Sequence, residues 1–319
     1  MADSAVVVVA TYRRPEHVRT CLEHLQQQTV APSRIVVVDA SPDTLTADVL
    51  ADFPDVEYRR NDLGVGTLAA SRAIGSHDAT EDVVAFIDDD AYAEPEWLER
   101  ILAAYDAPDV GAVGGRARMN MPGEEAEGLD RIGRFLRDGR LTGNFAADPG
   151  CTIDSDHMLG ANMTVRTDVL RGFGGVHDYY PGTCLREDSD LSLRVRLAGY
   201  RIRYAPDAVV LHVAGDYAKG RRFDLRYRYY GSRNHVVLLR TTLGWRDPHL
   251  ARYLLSTFPA LARTVGEGLQ GTEQRRGLIA RLRGAAGGVV RAATDAAGTF
   301  VGVFVVPVDR ARGVTDAPK

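Results

Sequence analysis

The sequence predicts an α/β protein: a single, mostly parallel β-sheet flanked by helices, followed by a helical C-terminal extension. Three observations carry that reading. Strand-sized, β-branched apolar runs recur at residues 5–10, 35–38 and 83–87. Helical signals follow each of them, an alternation that specifies parallel strands covered on both faces. The pattern then breaks near residue 113, and the last hundred residues read as mainly helical.

Taken in order, residues 5–10 (AVVVVA) have the continuous character of a strand buried on both faces. Pro15 can open a helix, because the first turn has no use for the missing N–H, and Val18, Cys21, Leu22 and Leu25 then share one face. Residues 35–38 repeat the buried-strand pattern, with a short helix around 44–51 and a weaker strand at 56–58 to follow. Thr67 is a candidate cap for a helix ending near Gly75. Residues 83–87 form a fourth strand, and Trp97, Leu98, Ile101, Leu102 and Tyr105 pattern the helix after Pro95. Beyond a strand at 110–113, residues 116–157 are rich in glycine and charge without a sustained period, and read as an insertion or lid instead of a core element. Residues 159–165 read as a strand, 188–198 as a helix closed by Gly199, and 201–204 and 208–213 as two short strands around Pro206. The most apolar stretches of the final hundred residues are 253–261 and 300–306.

Composition bounds the function. The 319 residues are 45% apolar, 26% charged and 8% aromatic, which excludes a disordered, collagenous or disulfide-scaffold protein. Three cysteines, Cys21, Cys151 and Cys184, make neither a disulfide framework nor a CxxC pair, so a reducing cytoplasmic setting is expected. The amino terminus lacks the pattern of a secretory leader, and no apolar run approaches the roughly 18 residues of a membrane span. The net charge of −4 is unevenly divided. Residues 1–218 carry 21 Arg against 36 Asp and Glu, a net of −15, whereas residues 219–319 carry 18 Lys and Arg against 7 acids, a net of +11. An acidic body argues against nucleic acid as a partner. A basic extension suits an anionic membrane surface or an anionic ligand, the alternative being solvated helices packed on the body.

The chemistry-bearing residues are carboxylates. Asp88, Asp89 and Asp90 follow Phe86-Ile87 at the carboxyl end of a buried strand, where open α/β sheets place their ligand crevices. Asp88 and Asp90 point to one side of an extended chain and Asp89 to the other. Three adjacent anions repel without a cation, and two carboxylates with diphosphate oxygens make the hard oxygen site that Mg²⁺ or Mn²⁺ prefers. A second group, Arg186-Glu187-Asp188-Ser189-Asp190, precedes an amphipathic helix. Helix capping accounts for one of Asp188, Ser189 and Asp190, but not for all three acids. An acid there can serve as a general base towards an attacking hydroxyl.

Five segments, VVVATYRRP (7–15), IVVVDAS (35–41), FIDDDA (86–91), LGANMTVR (159–166) and REDSDLSLRVRLAGYRIRY (186–204), resemble in order and spacing family 2 of the inverting nucleotide-sugar glycosyltransferases, over roughly residues 5–240. The resemblance implies a GT-A fold with a Rossmann-like sheet over 1–218, its nucleotide-binding half about 1–115 and its acceptor half about 151–218; residues 219–319 read from charge and pattern as a basic, mainly helical C-terminal extension. It implies that Ala10, Thr11, Tyr12 and Arg13 line the nucleotide and that Asp39 hydrogen-bonds the base edge. It places Asp90, Asp88 and His212 at a Mn²⁺ or Mg²⁺ ion, with Asp88 and Asp89 also at the donor. Asp188 then matches the base, and Glu187 orients acceptor hydroxyls. Asp62 and Arg72 are carried as donor-site residues, although the segment around them departs from the family's usual Asn-x-Gly and Ala-Arg-Asn, and Arg72 could equally be an exposed helix residue. The donor would be a UDP- or dTDP-sugar, and the acceptor a carbohydrate, a lipid-linked sugar or a small molecule.

Two rivals remain in the sequence. Gly64-Val65-Gly66-Thr67-Leu68-Ala69 matches the G-x-G-x-x-A dinucleotide fingerprint of a nicotinamide-dependent oxidoreductase, although it sits at the third βα unit instead of the first. A catalytically silent nucleotide-sugar-binding scaffold could use the same fold. In the extension, nine Lys and Arg against two Asp over 219–252, with Phe223, Tyr227, Tyr229, Tyr230 and Trp245, fit peripheral docking at the inner face of the cell membrane. A homodimer contact is the other reading of that surface.

Overall fold

In a computed structural model, residues 2–213, 224–270 and 278–312 are described here; side chains of 268–270 and 278–283 are left aside. The first half alternates β1 (Ala5–Thr11), α1 (Pro15–Gln26), β2 (Arg34–Asp39), α2 (Leu45–Leu50), β3 (Val56–Arg60), α3 (Leu68–Ser76) and β4 (Val83–Asp88). There follow β5 (Ala91–Ala93), α4 (Trp97–Ala103), β6 (Val110–Arg118), β7 (Ile153–Ser155), β8 (Asn162–Arg166), α5 (Thr167–Gly172), α6 (Glu187–Leu197) and β9 (Arg201–His212). Three helices close the chain: α7 (Leu225–Thr242), α8 (Pro248–Gln270) and α9 (Leu278–Phe304).

One sheet runs in the order β3-β2-β1-β4-β8-β6-β9-β5, with β7 beside β9. β1, β2, β3, β4, β6 and β9 all point one way, so the sheet is mostly parallel as the alternating pattern requires; β8, β5 and β7 run against them. The all-apolar strands are explained by cover on both faces. Val7 and Val9 of β1 join one core with Val18, Cys21, Leu22, Leu25 and Trp97, while Val6 and Val8 join a second with Ala69, Leu191 and Val195. Burying each such side chain contributes roughly 1.5–3 kcal/mol.

Three details differ from the sequence reading. Thr67 occupies the cap position of α3 without capping it, because its hydroxyl donates to the Gly64 carbonyl. The two strands expected around Pro206 are one strand, β9, whose register against β6 shifts between Gly115 and Arg116, opposite the Pro206 region. Residues 116–157 are not a simple lid. β6 extends into them to Arg118, and Ile132, Phe145 and Ala147 make a small core of their own under Tyr204.

The expected boundary at 218/219, with Lys219 and Phe223, lies outside the described residues, and the helices that follow it pack on the body. α7 buries Val237 and Leu238 against Tyr180 and Leu193 of the body. α9 crosses α7 closely because it presents glycine there. A Cβ on Gly298 would stand 2.3 Å from the Tyr229 carbonyl oxygen, and one on Gly302 would stand 2.7 Å from that of Arg233. The chain then returns to the body. Ala311 packs into the second core, and Arg310 donates to the Gly66 carbonyl at 2.9 Å and to Asp178 at 2.7 Å.

Candidate active site

The strand order reverses beside β1, and the residues at the carboxyl ends of β1 and its neighbours β2 and β4 line the crevice that such a switch point opens. Parallel register sets Ala10 level with Asp88 and Thr11 level with Asp39. The Thr11 hydroxyl donates to Asp89 at 2.7 Å, and one Arg14 nitrogen donates to both Asp89 and Asp90 at 2.9 Å. Burial pushes the Asp89 carboxyl up to about 7, with Arg14 and the Thr11 hydrogen bond pulling it down and Asp90 pushing it up. Beneath the triplet, burial and then the three acids drive the Cys21 thiol far above its ordinary range, so this cysteine is no nucleophile.

Asp88, Asp90 and His212 each offer a ligand atom, and those atoms lie within 4.8 Å of one another. The antiparallel pairing of β5 with β9 sets Ala91 against His212 and brings the imidazole Nε2 to 3.4 Å from Asp90. Two carboxylates and an imidazole converging on one point fit a divalent ion that accepts oxygen and nitrogen donors.

The two acidic groups, far apart in sequence, meet on Arg72. This arginine is 1% exposed, so it is a core residue and not a surface one. Its guanidinium donates to Asp88 and to the Gly160 carbonyl at 2.8 Å, and to Glu187 on its other branch. Gly160 is required by that approach, since a Cβ there would stand 2.9 Å from both terminal nitrogens of Arg72. The Gly160 amide in turn donates to Asp188 at 3.2 Å, and the Ser189 amide holds the other Asp188 oxygen at 2.7 Å. Asp188 is partly exposed at the first turn of α6, where the free amides favour a negative charge.

Glu187 is placed otherwise than expected. It is buried beneath the site with one oxygen on Arg72, and its second oxygen is buried without a partner. Burial raises its carboxyl to about 8 against the opposing pull of Arg72. A carboxylate so enclosed positions Arg72 and does not face an acceptor hydroxyl. Asp190 is likewise committed, accepting from the Tyr180 hydroxyl at 2.6 Å and from Arg194.

Of the other expected donor residues, Ala10 is buried at the end of β1, Tyr12 is partly buried and Arg13 is exposed. Arg13 has a positive φ of 55° and its amide donates to Ser41. Asp39 is fully buried at the crevice floor, accepting from the Ser41 amide at 2.8 Å and the Tyr58 hydroxyl at 3.2 Å, with Arg60 at 3.7 Å. Asp62 does not join the site: its side chain is 90% exposed and pairs with Arg60. The residue that orders this loop is Asn61, whose amide group donates to Thr67 and Ser71. Gly64 and Gly66 do take the left-handed turn of a dinucleotide loop, at φ 72° and 77°. The loop is nevertheless packed against Gly182 and Arg310 and stands on β3, away from the switch point. Sequence reasoning missed Arg14, Ser41, Tyr58 and Asn61. Arg14 had a signal: an arginine following a strand beside an acid triplet supplies the charge that the triplet needs.

A mostly parallel sheet with an acid triplet at its switch point and a second acidic motif at a helix start is the architecture of a GT-A glycosyltransferase. Residues 6–169, just over half of the chain, match the family model described as Glycosyl transferase family 2, and the chain belongs to that family. It is 41% identical over 115 residues to a glucosyl-dolichyl phosphate glucuronosyltransferase of Haloferax volcanii, covering 34% of this chain and 36% of the relative. It is 25% identical over 217 residues to glycosyltransferase AglE of the same organism, covering 65% and 66%. An O-antigen chain rhamnosyltransferase of Salmonella typhimurium, RfbN, is 23% identical over 215 residues, covering 65% of each chain. The matched part thus spans between about a third and two thirds of these relatives. Among solved structures, the fold is similar to a mannosyltransferase from Pyrobaculum calidifontis in complex with GDP-Man and Mn²⁺, with a TM-score of 0.60 and 17% identity over 95% of this chain and 88% of that one.

Proposed function

We propose that this chain is an inverting, divalent-metal-dependent glycosyltransferase that moves a sugar from a nucleoside-diphosphate sugar to an acceptor hydroxyl, in cell-envelope or natural-product glycosylation. The observation that carries this is the Arg72 bridge, which fastens the acid triplet to the Glu187-Asp188 motif through one buried guanidinium. Asp188 removes the proton from the acceptor hydroxyl as its oxygen attacks the anomeric carbon. The bond from that carbon to the diphosphate breaks, and its electron pair leaves with the nucleoside diphosphate, so the configuration inverts. A Mn²⁺ or Mg²⁺ ion held by Asp88, Asp90 and His212 would supply the charge that the departing diphosphate needs. Arg72 holds Asp88 in register with Asp188, and Asp39 with Tyr58 offers acceptor groups to a base N–H. UDP and dTDP are favoured on that ground, although a guanine N–H could meet the same carboxylate.

The test is a thermal-shift panel of UDP, dTDP, GDP and NAD(H), each with and without Mn²⁺. One nucleoside diphosphate at a hundred times its Kd should stabilise the protein by about 2.7 kcal/mol, and only with the metal. Stabilisation by NAD(H) alone, or by nothing, would overturn the reading.

The setting we propose is cytoplasmic, with the extension resting on an anionic membrane surface. No described helix is long and apolar enough to cross a membrane. α8 and α9 instead expose Leu255, Phe258, Val290, Phe300 and Phe304, in a segment, residues 219–319, that carries 18 Lys and Arg against 7 acids. An apolar face framed by arginine is how an interfacial helix binds anionic lipid. Co-sedimentation should rise with phosphatidylglycerol content and fall with salt; indifference to both, with dimer formation in solution, would make the face a subunit contact instead.

A further inference from the structure

We infer that a cavity of about 560 Å³ at the carboxyl-terminal end of α6 is a saccharide-binding site, separate from the crevice, that takes a neutral sugar unit. Its size lies in the range of pockets that hold small ligands. It is lined by β7 and Asp156, by the last turn of α6, by the start of β9, and by Phe135 of the inserted segment and His249 of α8. Part of that lining is apolar and aromatic. Leu193 and Ile202 are buried there, and the Phe135 and His249 rings lie 4.8 Å apart with their planes tilted by 34°. Both residues are anchored: the Phe135 amide donates to Asp156 at 2.9 Å, and the His249 amide and Nδ1 both donate to Asp247 at 2.8 Å. Rings fixed in this way suit the C–H face of a pyranose, which is apolar and uncharged.

The polar lining is matched to hydroxyl groups and not to an ion. Two acids, Asp154 and Asp156, stand with two arginines, Arg196 and Arg201, so the charges cancel and no net field selects an anion or a cation. The pairs are loose. Arg196 meets Asp156 at 3.2 Å and Arg201 meets Asp154 at 3.3 Å, longer than the roughly 2.7–2.9 Å of a tight charge-assisted contact. Arg201 and Arg203 both land on Oδ1 of Asp154, which leaves Oδ2 to accept from a ligand, and the exposed Arg196 has further N–H groups to give. A sugar hydroxyl both donates and accepts, so neighbouring hydroxyls can bridge such an acid and its arginine. The source of the sugar is a unit of a carbohydrate acceptor remote from the reacting hydroxyl, and this part of the inference rests on the glycosyltransferase reading above. The spacing is set by the chain. Gly160, Met158 and Asp156 step along α6 against Asp188, Ser192 and Arg196 at 3.2, 3.1 and 3.2 Å. The cavity edge at Arg196 is therefore two helical turns, about 11 Å, from the candidate base.

Calorimetry and ligand-observed NMR on the full chain test this with maltotriose, cellotriose, chitotriose and mannotriose, and with glucose 1-phosphate and glycine as charged probes. At least one neutral trisaccharide should bind the wild type, and its affinity should not change when a nucleoside diphosphate and Mn²⁺ fill the crevice. Arg196→Ala should weaken that binding at least about tenfold, the scale of losing a hydrogen bond to a charged group. Phe135→Leu, which removes the ring but keeps an apolar side chain, should also weaken it, and Phe135→Tyr should restore it. Circular dichroism checks that the variants are folded. Displacement of the trisaccharide by the nucleoside diphosphate, preference for a charged probe, equal binding by wild type and Arg196→Ala, or no trisaccharide binding would overturn the inference. If no nucleoside diphosphate binds, the donor reading falls separately, because the saccharide is also measured without it.

Discussion

Asp188→Asn is expected to cut turnover by at least about a hundredfold while leaving nucleoside diphosphate binding with Mn²⁺ nearly intact, the scale of losing a general base. The separation follows from the geometry. Asp188 is not among the three groups that converge as a metal site, and its carboxylate accepts from the Gly160 amide and from the amide and hydroxyl of Ser189. Asparagine keeps the shape and can still accept one of those amides, so the protein should fold, but it cannot take a proton from an acceptor hydroxyl. Single-turnover kinetics with saturating donor is the decisive measurement. A rate within tenfold of wild type would remove Asp188 from the role and direct attention to another base.

Asp90→Ala should act on the opposite half of the reaction and abolish metal-dependent donor binding. Asp90 stands 3.4 Å from His212 and shares Arg14 with Asp89, so its loss opens the ligand set and removes one of the carboxylates that hold Arg14. The neighbouring main chain keeps an anchor that does not involve the side chain, because the Val213 amide donates to the Asp90 carbonyl at 3.0 Å. Calorimetric titration of the nucleoside diphosphate with Mn²⁺ should fall to the level seen without metal. Undiminished metal-dependent binding would exclude Asp90 as a ligand.

Strands and helices were legible where local pattern and burial agree. The α1 face of Val18, Cys21, Leu22 and Leu25 is buried as the periodicity required, and β1 is apolar throughout because both of its sides are covered. The acid triplet was legible because three neighbouring carboxylates need an explanation. What local pattern could not supply was the partner of each charge. Nothing near residue 72 in the sequence announces that its guanidinium joins Asp88 to Glu187, a contact made by packing α3 against the start of α6. In the same way, Asp62 and Asn61 differ little as loop residues; only the fold turns one outwards and buries the other. Arg13 and Arg14 present the same problem, and a positive φ at Arg13 sends the useful cation to the second position. The role of Glu187 was misread because adjacent acids at a helix start face different ways, one towards the core and one towards the crevice.

The contacts of residues 309–311 also bear on the order in which the molecule is made. Arg310 reaches Gly66 across 244 residues of sequence and Asp178 across 132, and Asp309 accepts from His177 and the Asp178 amide at 2.7 and 2.8 Å. Contacts of such separation form last, since each waits for a long loop to close. During synthesis the sheet can assemble from its amino-terminal end while the loops at Gly66 and Asp178 stay unfastened. Those two loops are therefore fastened to one another only after residues 309–311 have left the ribosome.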